Sequence, residues 1–146
     1  MIFVVDTNIL FSACLTPSGK IFDILFEASP SVQFISSTYA VLEITRHKPK
    51  LIKLSGLSDN EIESLITVIY SQVAFYTDDQ IEKHNWIEAD RLTRDVDSKD
   101  ISFVAMALQN ESYLWTGDKK LANHLKNHGF EKVLYTAEVA EMLNID

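Results

Sequence analysis

Ile2-Phe3-Val4-Val5-Asp6-Thr7-Asn8 decides the fold. Four consecutive apolar residues, rich in β-branched side chains, predict a short strand buried on both faces, which in a small domain places it in the interior of a parallel sheet. The run stops on a carboxylate. In open parallel sheets the chain leaves the strands at their carboxyl ends, and ligands and chemistry collect in the crevice there. Asp6 is therefore the first candidate functional residue.

The 146 residues fit one domain over 1–146, long enough to bury roughly 70% of the surface of the unfolded chain without disulfide or zinc. An apolar fraction of 47% and a charged fraction of 23% are ordinary for a soluble globular protein. No apolar run reaches the length of a membrane span, and the start lacks the features of a secretory signal, so a cytoplasmic protein with no membrane partner is expected. Cys14 is the single cysteine and reads as a small core residue. The net charge of −8 opposes a polyanionic partner. Basic residues are nevertheless grouped, in Arg46-His47-Lys48-Pro49-Lys50-Leu51-Ile52-Lys53 and again in Lys119, Lys120 and Lys126.

Outward from the first strand, helical and strand patterns alternate. Helices are expected over 7–15, 20–28, 39–46, 49–55, 79–94, 97–110, 119–127 and 137–143, and strands over 32–36, 73–77, 113–116 and 133–135. Ser58 and Glu61 are spaced as a capping box ahead of a helix whose apolar face is Ile62, Leu65, Ile66, Ile69 and Val73. Residues 101–108 are apolar on all sides after an acidic start, the pattern of a fully buried helix. The alternation implies an α/β fold, a three-layer α/β/α sandwich around a mainly parallel sheet of about five strands.

Four acids recur at comparable places. Asp6 ends the first strand, Glu43 lies within the helix after the second, Asp100 opens the buried helix, and Asp118 follows the fourth strand. Residues just after parallel strands share one sheet edge. Capping accounts for Asp6, Asp97 or Asp118 taken singly, but not for Glu43 between apolar neighbours, nor for an acid at the head of the most buried helix, where an unpaired charge is costly. Clustered carboxylates repel unless a cation lies between them, and an all-oxygen set without cysteine or histidine favours Mg²⁺ or Mn²⁺ over zinc.

Val5-Asp6-Thr7-Asn8-Ile9-Leu10, Leu42-Glu43-Ile44, the stretch from Asp97-Ser98-Lys99-Asp100-Ile101 to Leu108, and Trp115-Thr116-Gly117-Asp118 resemble, in order, the successive motifs of the PIN-domain nucleases. The resemblance implies a divalent-metal-dependent endoribonuclease acting on single-stranded or structured RNA. It implies Asp6, Glu43, Asp100 and Asp118 as catalytic and metal-binding acids, Asp97 as an auxiliary ligand or cap, and Asn8 and Thr116 as groups that hold the carboxylates in place. Many small single-domain members are toxins of toxin–antitoxin pairs, commonly dimeric, so an RNA substrate, an antitoxin protein and a homodimer are the partners it implies. Lys119, Lys120, Lys20 and the basic helix with Arg46, Lys48, Lys50 and Lys53 are the candidates for holding the RNA backbone. A PIN-like domain that binds RNA or protein without cutting is the alternative. A phosphatase of the haloacid dehalogenase type would need a second acid two positions after Asp6, where this chain has Asn8.

Overall fold

The computed structural model describes residues 1–96 and 98–146, with Ser98 by its backbone alone. The first segment forms β1 (Ile2–Val5), with Phe3, Val4 and Val5 fully buried. It pairs in parallel with β2 (Gln33–Ser37) on one side and β4 (Tyr113–Trp115) on the other. β3 (Ala74–Tyr76) extends the sheet beyond β2 and β5 (Val133–Leu134) beyond β4, giving five parallel strands in the order β3-β2-β1-β4-β5.

That order places the site. From β1 the chain steps outward to β2 and β3, then returns across the sheet to β4 and β5. Right-handed crossovers running in opposite directions put their helices on opposite faces and open a crevice where the direction reverses, between β1 and β4. On one face α1 (Thr7–Leu15) packs against α2 (Lys20–Glu27), α3 (Thr38–Arg46), α4 (Lys48–Ser55) and α5 (Asp59–Tyr70). On the other, α7 (Ile101–Gln109) lies against β1, β2 and β4, and α6 (Lys83–Thr93) packs outside it against both α7 and α8 (Lys119–Asn127). The closing helix α9 (Thr136–Met142) contacts α2. Among the described residues no single helix is long and apolar enough to cross a membrane.

Local chemistry accounts for the element boundaries. Ser58 and Glu61 close the expected capping box at the head of α5, which satisfies two of the backbone amides exposed at that end. α5 stops at Tyr70, and Val73 enters the core from the turn after it. The polar helix expected over 79–94 begins only at Lys83. Thr77 and Gln80 close a separate single 3₁₀ turn over Asp78–Gln80, and Ile81 then adopts an extended conformation that carries its side chain into the core. The helix expected from residue 97 is likewise a 3₁₀ turn, Ser98–Asp100, leading into α7, where Ser102 to Ala107 are all buried. Cys14 is buried as expected.

Candidate active site

The register of the sheet brings the acids together. Val5 pairs with Trp115, so Asp6 and Thr116 leave the sheet side by side. Asp6 caps α1, its Oδ1 accepting the Ile9 amide at 3.2 Å, and Asp118 caps α8, its Oδ1 accepting the Leu121 amide at 3.1 Å. Glu43 is the sixth residue of α3, about 8 Å along the helix axis from its first residue, and its Oε1 accepts the Thr7 hydroxyl at 2.5 Å. Asp100 occupies the cap position of α7 but makes no side-chain cap hydrogen bond. Helix capping therefore does not explain its presence.

Asp6, Glu43, Asp100 and Asp118 line one cleft of about 320 Å³ together with Thr7, Asn8, Phe11, Ser12, His47, Lys50 and Lys99. Asp6 is its buried element, only 2% exposed. Burial pushes its carboxyl up to about 7, with smaller upward contributions from the charges of Asp100 and Asp118. The Ile9 amide and the Thr116 hydroxyl act in the opposite direction, the hydroxyl from nearby rather than in hydrogen-bond geometry. Asp6 Oδ2 has no hydrogen-bond partner, an expensive arrangement for a buried oxygen. A cation beside it would satisfy this atom and relieve the repulsion. Among the described residues no three carboxylate, imidazole or thiol groups converge into a ready-made metal cage. The donors fit a hard ion that retains part of its water shell, as Mg²⁺ does.

Backbone contacts fix the turn that carries Asp118. Thr116 is fully buried and its Oγ1 accepts the Asp118 amide at 3.1 Å, while Asn8 Oδ1 accepts the Gly117 amide at 3.1 Å. A Cβ on Gly117 would lie 3.3 Å from Asn8 Oδ1, so the glycine admits this close approach. The Ser36 hydroxyl donates to the Val5 carbonyl at 2.6 Å, tying β2 to the residue before Asp6. Sequence reasoning missed that contact, because it depends on strand order.

Of the basic candidates, Lys50 lines the cleft. Lys50, Lys99 and His47 line the cleft, and Lys50 Nζ lies 5.8 Å from the centre of the Phe11 ring. Lys48 instead forms ion pairs with Asp59, at 3.1 Å, and with Glu63. Lys20, Arg46, Lys119 and Lys120 are exposed and do not line the cleft, although Lys119 and Lys120 follow Asp118 directly on α8. The expectation for Asp97 falls outside the described residues. His124 and His128 stack on each other at 4.0 Å near the end of α8, away from the acids.

The solved VapBC2 of Rickettsia felis, bound to a DNA fragment from its promoter, contains a chain with the same fold. It has a TM-score of 0.68 and 14% identity, covering 92% of this chain and 98% of that one. The solved VapBC-1 of nontypeable Haemophilus influenzae gives 0.66 at 18% identity, covering 94% and 99%. No curated protein matches by sequence. The family model of the PIN domain matches residues 4–137, and the chain belongs to the PIN domain family.

Proposed function

We propose that residues 1–146 act as one domain, a divalent-metal-dependent endoribonuclease that is the toxin of a toxin–antitoxin pair. The observation that carries the reading is Asp6, a buried carboxylate with one orphaned oxygen at the head of a cleft that also holds Glu43, Asp100 and Asp118. Likeness in fold to the two VapBC chains supports the toxin assignment and, with it, an antitoxin partner.

Asp6, Asp100 and Asp118 would hold Mg²⁺ or Mn²⁺, with Glu43 across the cleft. A bound divalent cation supplies hydroxide from water near neutral pH and stabilises charge on the leaving oxygen of a phosphodiester. The protein's own contribution is positional. Thr7 holds Glu43, and Thr116 and Asn8 hold the Asp118 turn, so the acids are oriented before substrate arrives. Lys50 and Lys99 offset the local negative charge and offer donors to the RNA backbone, which an overall charge of −8 would otherwise repel.

Labelled single-stranded RNA incubated with wild-type protein and an Asp6→Asn variant, with Mn²⁺, Mg²⁺ or chelator, tests the reading. The expected result is cutting that needs the ion, leaves a 5′-phosphate and is lost in the variant. Equal cutting by both proteins overturns it, and tight RNA binding without cutting by wild type moves the chain to the binding-domain reading.

A further inference from the structure

A second cleft of about 320 Å³ adjoins the first and shares Lys99 with it. Its walls are Tyr39 on α3, Trp86 on α6 and Asp78 of the 3₁₀ turn after β3, with Ile101 and Ser102 at the start of α7. Its volume is at the small end of the range for ligand sites. Ser102 lies two residues beyond Asp100, at most about 7 Å along the chain, so the two clefts lie on either side of one short segment.

Ser102 is 5% exposed and its Oγ has no hydrogen-bond partner. Hydroxyls in helices ordinarily bond to the carbonyl four residues back, as Thr93 does with Ala89 at 2.9 Å. A buried hydroxyl left open in a helix facing a cleft is a group available to a ligand. Trp86 is half-buried and anchored by its indole N–H, which donates to the Asp78 carbonyl at 3.4 Å. Beside it the Tyr39 ring offers a second aromatic surface. Aromatic surface, one open hydroxyl, one carboxylate and a lysine leading to the acids suit a planar, polar-edged ring attached to a phosphate.

We propose that this cleft binds the nucleobase of the nucleotide next to the scissile phosphate, stacked on the aromatic wall and read by Ser102 and Asp78. The inference rests on the nuclease reading for its ligand. A carboxylate accepts from an exocyclic amino group, so adenine, cytosine and guanine fit the edge formed by Asp78, and uracil, which has no amino group, fits it less well.

Mononucleotides contain no bond for a nuclease to cut between residues, so wild-type protein can be titrated directly. Trp115 is fully buried, which leaves Trp86 as the fluorescent group that responds to a ligand. Adenosine, cytidine and guanosine 5′-monophosphates should quench it saturably at millimolar concentration, uridine 5′-monophosphate more weakly, and ribose 5-phosphate not at all. Ser102→Ala should weaken binding about five-fold, the loss of one hydrogen bond, and Asp78→Asn should remove the discrimination against uridine. Ribose 5-phosphate matching the nucleotides, or Ser102→Ala binding as wild type does, overturns the proposal. If RNA is cut while Trp86 is silent to every nucleotide, this inference fails and the nuclease reading stands. If nucleotides bind with the expected base order and no RNA is cut, the nuclease reading fails and the base site stands.

Discussion

Replacing Asp6 by asparagine should stabilise the metal-free protein at alkaline pH, although it removes a carboxylate from the centre of the site. The Asp6 carboxyl lies near 3.8 in the unfolded chain and is pushed to about 7 in the fold, mainly by burial. A raised carboxyl contributes its full share of stability below 3.8, where it is protonated in both states. That contribution is lost as pH rises toward 7, because the unfolded chain ionises first, and it stays lost above 7. The gap is about 3 pH units, and at 1.36 kcal/mol per unit this amounts to about 4 kcal/mol as an upper figure. Asparagine carries no charge at any pH. Relative to wild type, Asp6→Asn should therefore gain stability between pH 4 and pH 7 and hold the gain above it, a melting difference of roughly 10 °C at pH 8. Its amide nitrogen, placed where Oδ2 has no partner, adds a cost that does not vary with pH, so the pH dependence is the signature. Urea or thermal unfolding of both proteins from pH 4 to pH 9 in chelator measures it. A stability difference that is flat across this range would refute the account of Asp6.

Adding divalent ion should narrow that difference. Mn²⁺ at about 100 times its dissociation constant stabilises wild type by about 2.7 kcal/mol through binding the folded state, and Asp6→Asn, lacking the central ligand, should show little of this in a melting curve. In Glu43→Gln the Thr7 hydroxyl keeps its acceptor, so melting should stay close to wild type while RNA cleavage falls at least about 100-fold, since loss of a supporting contact alone costs 10–100-fold at metal sites. Thr116→Val strips the Asp118 amide of its buried partner and should cost about 1–3 kcal/mol in a urea titration, with a loss of cleavage beyond what instability explains. Cleavage at low Mn²⁺ should rise with pH through about 7 as Asp6 ionises, and its midpoint should move to lower pH as Mn²⁺ is increased, because ion and proton compete for one carboxylate.

Periodicity, turn residues and the four acids made most of the fold legible. Ile2–Val5, the helix from Thr7 to Leu15 and the Ser58–Glu61 capping box stand where their chemistry puts them. Local pattern could not reveal strand order, which depends on long-range pairing, so the reversal between β1 and β4 that gathers Asp6 and Asp118 was inaccessible, as was the Ser36 contact to Val5. The turns at Asp78–Gln80 and Ser98–Asp100 read as helix because single turns carry no periodicity. Lys50 stood among the sequence candidates, but local pattern could not separate it from Lys48. Lys48 is drawn to acids one helix away, whereas Lys50, two residues on, reaches Phe11 and the site.

Calorimetric titration of Mn²⁺ into wild type and Asp6→Asn at pH 7, repeated in buffers of different ionisation enthalpy, tests most directly whether the buried acid holds a cation. Wild type should bind and release about half a proton, as expected of a carboxyl poised near pH 7 that must ionise to bind, and the variant should lose both. Equal binding by the two proteins, or binding without proton release, would contradict it.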